Sequence, residues 1–277
     1  MTEFKTIEIE FEQIDSDRDD SIAYLRLNRP EAANAFSAKM LDEILVGLKL
    51  IQSKENTRVL IISGRGKHFS AGADLNWMKQ SANLTFEENI TDASKLKQMF
   101  ESLYHLSIPT IAVVSGCAFG GAVGLAACCD YAFAYDTAKF CLSETRLGLI
   151  PAVILPYLSR KIPSGQLRRL GLTAQVFSGE QAKHYGLIEE VITTDTVSSA
   201  LKSELNSLLS CGPKALASYK KLLDQIQANS NKQDQETVEA IAIVRTGDEA
   251  QNGLQAFFDK KTGPWSIQLP KDWKFHG

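Results

Sequence analysis

Three short, uninterrupted runs of apolar residues constrain the fold of this chain more than any other feature. They lie at residues 59–62, at 110–114, where Thr110 precedes four apolar residues, and at 131–134. Because the apolar residues in each run are continuous rather than alternating, each run predicts a strand that is covered on both faces. The segment after Ser37 and residues 86–106 carry apolar side chains at the spacing of one buried helix face. This alternation of strand and helix predicts an α/β fold.

The two ends of the chain differ from this middle part. Residues 8–11 and 22–27 are rich in β-formers and flank an acidic turn at 15–20, which predicts an N-terminal hairpin. After residue 167 the strand patterns nearly vanish, leaving one β-like piece at 187–192 and a polar linker at 229–235. Helical patterns in this part cover residues 167–172, 178–185, 196–209, 213–228 and 235–258. We therefore expect an α/β core at residues 1–195 and a helical C-terminal region at 196–277 that serves in assembly.

The composition argues against several classes of function. A net charge of −3, from 30 Lys and Arg against 33 Asp and Glu, gives no electrostatic reason to expect nucleic acid or an anionic membrane as a partner. No run approaches the roughly twenty apolar residues of a membrane span, and the first residues are acidic and alternating, unlike a signal peptide. We therefore expect a cytoplasmic protein. Five cysteines without CxxC spacing predict buried thiols rather than disulfides or a zinc site.

Several standard motifs of cofactor and metal chemistry are missing from the sequence. The segment SGRGKH at 63–68 begins like a dinucleotide-binding fingerprint, but Phe69 stands where its last glycine belongs. There is neither GxxxxGK[ST] nor GxSxG, and the four histidines lack the spacing of metal ligands. We therefore expect no bound metal, no cofactor and no nucleophilic serine.

Two glycine-bearing loops and one carboxylate carry the positive signal. The loops, at residues 70–74 and 118–122, each follow a buried strand and are built mostly of small residues. In the second loop the N–H groups around Gly121 are expected at a helix N-terminus, where unpaired donors and the helix dipole favour negative charge. Two such donors that converge on a carbonyl oxygen form an oxyanion hole, and Glu144 follows as a lone acid in an apolar segment. On the residues alone, two tight turns that pack helix on strand explain the loops equally well.

Longer motifs resemble those of the crotonase (enoyl-CoA hydratase and isomerase) superfamily. These are HFSAGADL at 68–75, GCAFGGAVGLAACCD at 116–130 and FCLSETRLGLIPAV at 140–153, and the resemblance extends from LNRPEAANAF to GLQAFFDKKTGPW. Within the superfamily the motifs look most like bacterial methylglutaconyl-CoA hydratases of leucine breakdown and isohexenylglutaconyl-CoA hydratases of acyclic terpene breakdown. The resemblance implies a spiral of β-β-α units with a helical C-terminal region, assembled as a homotrimer or a dimer of trimers.

The resemblance also implies roles for particular residues. The N–H groups of Ala73 and Gly121 would form the oxyanion hole for the thioester carbonyl of an acyl-CoA, which is the substrate and not a cofactor. The backbone that holds coenzyme A would be that of Ala71, Asp74, Leu75 and Gly120. The basic side chains expected near the CoA phosphates are Arg29, Lys260 and Lys261.

Glu144 matches the second of the two catalytic glutamates of a typical hydratase, whereas the first falls at Gly124. Hydration needs a base for the water proton and an acid for C2, tasks that two carboxyl groups share readily. In this chain we expect Glu144 to perform both steps. The structural alternative for Glu144 is an ion pair with Arg146 or a capped turn. Arg146 itself suits either that ion pair, which we favour, or a carboxylate at the far end of the substrate.

These features favour a hydro-lyase that adds water across C2=C3 of a branched enoyl-CoA with a distal carboxylate, foremost 3-methylglutaconyl-CoA. Two alternatives stay open. A single glutamate suffices to move a proton between C2 and C4, as an enoyl-CoA isomerase requires. The second alternative is a binding protein that has lost catalysis, and Gly124 is the only feature of the sequence that supports this interpretation.

Overall fold

The computed structural model describes residues 4–15, 17–228 and 233–277. The strands are β1 (Ile7–Asp15), β2 (Asp20–Leu27), β3 (Thr57–Gly64), β4 (Thr110–Val114), β5 (Cys117–Phe119), β6 (Tyr131–Tyr135), β7 (Lys139–Cys141), β8 (Phe177–Ser178) and β9 (Glu190–Ile192). The helices are α1 (Ala38–Ser53), α2 (Leu75–Ser81), α3 (Phe86–Tyr104), α4 (Gly121–Cys128), α5 (Leu155–Lys161), α6 (Ser164–Thr173), α7 (Gly179–His184), α8 (Val197–Leu209), α9 (Pro213–Ala228), α10 (Gln233–Thr246) and α11 (Asp248–Phe258).

The three apolar runs form the middle of a six-stranded sheet with the order β1-β2-β3-β4-β6-β9. All neighbours in this sheet are parallel except β1 and β2, which form the expected N-terminal hairpin. Successive residues of a strand face opposite sides, so Leu60 and Ile62 enter one core with α1, α3 and α4, while Val59 and Ile61 enter a second core with α8. Cover on both faces explains the uninterrupted apolar runs, and the predicted α/β fold is confirmed.

A second, smaller sheet was not predicted from the sequence. In it β5 pairs in parallel with β7, and β7 pairs in antiparallel with β8. These strands have two or three residues each, which is too short for an apolar period to be recognised. The small sheet matters for function because β5 leads directly into α4 and β7 leads into the turn that carries Glu144.

The helical C-terminal region is confirmed, but the single helix predicted at 235–258 is wrong. The chain breaks between α10 and α11 at Gly247, whose extended backbone (φ −77°, ψ 152°) begins α11. The linker predicted at 229–235 lies outside the described residues up to 232, and Gln233 already belongs to α10. The boundary expected at residue 195 stays a prediction.

After α11 the chain returns to the sheet, where Ile267, Leu269 and Trp273 complete the second core. Buried and half-buried arginines of the sheet hold this tail by its carbonyl groups: Arg58 donates to Trp265 O (3.0 Å) and Arg26 to His276 O (2.7 Å). None of the helices within the described ranges combines the length and hydropathy that a membrane crossing requires.

The cysteines conform in part to the expectation of buried thiols. Cys128, Cys129 and Cys141 are buried, and desolvation raises the pKa of Cys129 to about 12. Cys117 is half-buried and Cys211 is exposed, so for these two residues the expectation is wrong.

Candidate active site

The glycine loop after β3 is held against β5 by backbone hydrogen bonds. Phe69 N–H donates to Ser115 O (2.7 Å), and Ser70 N–H donates to Cys117 O (3.0 Å). In return Phe119 N–H donates to Ser70 O (3.1 Å). The two glycine loops, which are about 50 residues apart in sequence, therefore form one continuous backbone surface.

Gly72 is required at the point where the two loops come closest. Its φ of +94° is a conformation that side chains with a Cβ rarely adopt, and a Cβ placed there would lie 2.8 Å from the Phe119 carbonyl oxygen. The glycine therefore permits both the backbone conformation and the close approach of the loops.

The N–H groups on either side of Ala73 already have acceptors. Ala71 N–H donates to Ala33 O (2.9 Å) and Asp74 N–H donates to Phe36 O (2.8 Å). No acceptor for Ala73 N–H is found among the described residues. Ala73 thus keeps a free donor at the position expected for the oxyanion hole, while Ala71 can offer a ligand only its carbonyl oxygen.

Asp74 fixes the end of this loop through its side chain. It caps α2 by accepting from Asn76 N–H (2.8 Å) and Trp77 N–H (3.3 Å), and it forms an ion pair with Arg29 at 2.9 Å. Burial acts to raise the pKa of Asp74, but these hydrogen bonds outweigh burial and the pKa lies below its ordinary value. The guanidinium of Arg29, which we expected near a CoA phosphate, donates hydrogen bonds to Asp74 and to Ala35 O (2.8 Å).

The second loop ends in a turn that only glycine can make. Gly120 has φ 53° and ψ −122°, and its N–H donates to Cys141 O (2.8 Å) on β7. Gly121 is the first residue of α4, so its N–H has no acceptor within the helix, and none is found elsewhere in the described chain. Every other residue of α4 is buried. The start of α4 therefore presents a free donor in a desolvated setting.

Glu144 reaches this turn from the other side. It begins a short 3₁₀ turn (Glu144–Leu147), and its Oε1 lies 3.1 Å from the point where a Cβ of Gly120 would stand. Its Oε2 is buried without a hydrogen-bond partner among the described residues. Burial raises the pKa of Glu144 above its ordinary value. A carboxyl group whose pKa is raised and one of whose oxygens has no hydrogen-bond partner is suited to act as a general base.

The ion pair that we favoured between Arg146 and Glu144 is wrong, because the described structure contains no such contact. Arg146 is exposed, and its backbone N–H donates to Ser143 O within the 3₁₀ turn. Glu144 therefore has no cation to lower its pKa.

Three further predicted residues lie on exposed positions. Leu75 is 73% exposed at the start of α2. Lys260 and Lys261 follow the end of α11, and Lys261 Nζ lies 3.6 Å from Asp259. Among the described residues, no ion pair or hydrogen bond joins either lysine to the glycine loops.

The space beside Gly124, where a typical hydratase carries its first glutamate, is occupied by a residue that the sequence analysis did not identify. A Cβ on Gly124 would lie 2.1 Å from Cγ2 and 2.7 Å from Cβ of Ile154, which is buried at the start of α5. Phe100 Cε1 lies 3.4 Å from the same point. Gly124 is therefore a site of close helix packing, without space for a second carboxylate.

Cavity size does not identify this site. A groove of about 920 Å³ opens at the carboxyl ends of β3, β4 and β6, with Lys67, Tyr135 and Phe275 in its wall, and Glu144 does not line it. The unpaired carboxylate beside two free N–H donors is the feature that marks the chemistry.

Comparison with known proteins agrees with this geometry. A sequence profile described as enoyl-CoA hydratase/isomerase matches residues 17–268. The fold superposes on the crystal structure of an enoyl-CoA hydratase from Shewanella pealeana with a TM-score of 0.88 and 37% identity, over 95% of this chain and 96% of that one. It also superposes on Pseudomonas aeruginosa AtuE with a TM-score of 0.88 and 30% identity, over 95% and 100%. A crotonyl-CoA hydratase from Syntrophomonas wolfei is 29% identical over 91% of this chain and 96% of its own length.

The chain therefore belongs to the enoyl-CoA hydratase/isomerase family, as the motifs predicted. The mixed α/β architecture with its helical C-terminal region is that of the solved relatives.

Proposed function

We propose that this member of the enoyl-CoA hydratase/isomerase family is a hydro-lyase that adds water across C2=C3 of 3-methylglutaconyl-CoA. The observation that carries this proposal is the carboxyl group of Glu144, which lies at the turn that begins α4 and whose Oε2 is buried without a hydrogen-bond partner among the described residues. In this proposal the Ala73 and Gly121 N–H groups bind the thioester oxygen. Each such donor contributes about 3 to 4 kcal/mol to transition-state stabilisation in measured cases.

Glu144 performs both proton transfers in this scheme. It takes a proton from water as the water oxygen bonds to C3, and the electron pair of C2=C3 moves into an enolate held by the two N–H donors. The protonated Glu144 then donates to C2, which completes a syn addition. Burial raises the pKa of Glu144, and a raised pKa makes its carboxylate a stronger base for the first of these transfers.

Arg146 is the proposed partner of the distal carboxylate of the substrate. It is exposed at one end of the 3₁₀ turn that begins with Glu144, and no acid in the described chain forms an ion pair with it. A guanidinium without a partner is suited to bind a carboxylate through two parallel hydrogen bonds. Lys260 and Lys261 are proposed to meet the CoA phosphates.

The test is a panel of three purified thioesters, 3-methylglutaconyl-CoA, isohexenylglutaconyl-CoA and crotonyl-CoA, followed by loss of enoyl thioester absorbance. We expect the highest kcat/KM with 3-methylglutaconyl-CoA. Arg146→Met should lower kcat/KM on that substrate and leave crotonyl-CoA hydration near wild type. Preference for isohexenylglutaconyl-CoA would move the assignment to that substrate, and absence of hydration with all three would overturn it.

An isomerase is the second candidate, since Ile154 fills the place of the other glutamate and one carboxylate remains. A proton shuttle between C2 and C4 needs only that one group. Deuterium uptake at C4 in D2O without net addition of water would assign the chain to this class. An inactive binding protein is disfavoured because burial of a carboxyl oxygen without a partner among the described residues costs stability, and binding of the thioester oxygen by two N–H groups does not require it.

Assembly as a homotrimer or dimer of trimers is also part of the proposal. The C-terminal helices expose large apolar side chains, with Ile243, Phe257 and Phe258 each more than 70% exposed. Exposed apolar patches of this kind mark association surfaces. Light scattering on the purified chain measures the mass directly, and a monomer at working concentration would contradict this part.

A further inference from the structure

The side chain of Ser143 lies at the same turn as the catalytic carboxyl group. Its Oγ is 3.7 Å, and Glu144 Oε1 is 3.1 Å, from one point beside Gly120, the position that a Cβ of that glycine would take. The next residue, Gly121, carries the free N–H at the start of α4. Ser143 is thus part of the small space in which the carboxylate and the oxyanion donor meet.

No structural task explains the Ser143 hydroxyl. Ser143 stands at the N-cap of the 3₁₀ turn, but its side chain makes no capping hydrogen bond. The backbone carbonyl of Ser143 accepts from Arg146 N–H instead. Within the part of the chain that the structure describes, the hydroxyl has no hydrogen-bond partner. A half-buried serine hydroxyl at the same turn as the Glu144 carboxyl group is therefore available to a bound molecule.

The hydration step creates a need for such a group. A water molecule that attacks C3 gives one proton to Glu144, and its second O–H remains in a largely desolvated site. Leaving that O–H without an acceptor is unfavourable, because the donor has given up its hydrogen bond to bulk water. Position 124 carries no carboxylate, and the space beside it is occupied by Ile154. The apolar rings of Phe36 and Phe100 close the side next to Gly121. Thr145 donates its hydroxyl to Gly171 O, so the polar side chain recorded beside Gly120 together with Glu144 is that of Ser143.

We propose that Ser143 Oγ is the second hydrogen-bond partner of the attacking water, a role that rests on the hydratase function proposed above. The hydroxyl accepts a hydrogen bond from the O–H that is not transferred, and it aims a lone pair of the water at C3. The O–C3 bond forms while the water O–H that faces Glu144 breaks, and the electron pair of C2=C3 moves into the enolate. The O–H of protonated Glu144 then breaks as its proton forms C2–H, and the thioester carbonyl is restored. Ser143 is unchanged at the end of the reaction.

The experiment first establishes that the wild-type protein hydrates enoyl thioesters. It then compares the wild type with Ser143→Ala, which removes the hydroxyl, and with Ser143→Thr, which keeps it. We expect Ser143→Ala to lose about 10-fold or more in kcat, the equivalent of about 1.4 kcal/mol. The KM should stay within twofold, because the coenzyme A contacts are untouched. The loss should be equal for 3-methylglutaconyl-CoA and crotonyl-CoA, since the water position does not depend on the acyl group. Ser143→Thr should regain most of the rate.

Thr145→Val is the matched control, one residue beyond Glu144. Its hydroxyl donates to Gly171 O (2.8 Å) and so has a structural partner. We expect this variant to lower Tm and to change kcat by less than twofold.

Two results would overturn the role of Ser143. One is a Ser143→Ala variant with kcat within twofold of wild type, and the other is a Ser143→Thr variant as slow as Ser143→Ala. Failure of the proposed function looks different, because wild-type chain would then hydrate none of the thioesters.

Discussion

Gly124→Ala adds a single methyl group at the point where α4 meets Ile154, and its effect can be worked out from the packing. In an open helix interior the same change stabilises by about 1 kcal/mol. Here the new Cβ would lie 2.1 Å from Cγ2 and 2.7 Å from Cβ of Ile154, whereas carbon atoms prefer about 3.5 to 4.0 Å. Rotation of the side chain moves Cγ2 but not Cβ, so the backbone before α5 must shift.

Overpacking of this kind costs about 1 to 3 kcal/mol. Because side-chain rotation cannot move Cβ of Ile154, we expect Gly124→Ala to cost an amount at the upper end of this range. After subtraction of the helix-propensity gain we expect a net destabilisation of about 2 kcal/mol. For a chain of this size that corresponds to a Tm about 4 °C lower. Gly124→Glu carries the same Cβ, so it should be destabilised as well and should not gain hydratase rate from its added carboxylate.

The assay is thermal unfolding of four proteins in a double-mutant cycle, namely wild type, Gly124→Ala, Ile154→Ala and the double variant. Ile154→Ala alone should cost about 2 to 5 kcal/mol because it leaves a cavity. In its background Gly124→Ala should become far less harmful, with a coupling energy above 1 kcal/mol. Gly171→Ala in α6 is the control, since a Cβ there meets no atom within 4 Å.

Two outcomes would refute this reasoning. One is a Gly124→Ala variant whose Tm rises as much as that of Gly171→Ala. The other is a cycle that is additive within about 0.5 kcal/mol, the range found for residues that do not touch. Either result would mean that Ile154 does not occupy the place of the second carboxylate.

Two further sites lead to measurable expectations. Glu144→Gln should lose about 100-fold or more in kcat while its Tm stays equal or rises, because an amide need not be buried as an anion; a rate near wild type would contradict the assignment. Since burial raises the pKa of Glu144 and the ionised form is the base, kcat/KM should fall on the acid side at a pH above the ordinary value of 4.5; a limb at or below that value in a pH profile would contradict the burial argument. Asp74→Ala removes a helix cap and the partner of Arg29, so unfolding free energy should drop by about 1 kcal/mol and KM should rise. Folding lowers the pKa of Asp74, so the ionised carboxylate stabilises the folded state at pH values above the pKa of Asp74 in the unfolded chain. This stabilisation should be lost as the pH falls through the pKa of Asp74 in the folded state, and Tm measured at decreasing pH follows the loss.

Local properties of the sequence determined the α/β fold class and the positions of the main strands and glycine loops. Uninterrupted apolar runs such as residues 59–62 identified strands covered on both faces, because burial of both faces removes the alternation of an edge or half-exposed strand. Gly72 and Gly120 were recognisable as loop residues, because only glycine tolerates their backbone angles. Glu144 was recognisable as an isolated acid in an apolar segment.

Only the tertiary structure decided how these pieces act together. The unpaired state of Glu144 depends on where Arg146 points, and neighbours in sequence need not be neighbours in contact. Likewise Gly124 marked a missing carboxylate, but the residue that fills its place, Ile154, comes 30 positions later in the chain. The nearness of Ser143 to Gly120 depends on the pairing of two three-residue strands. Sequence periodicity shows which face of an element is buried, whereas the residue that packs against it depends on how distant elements cross, which no local pattern contains.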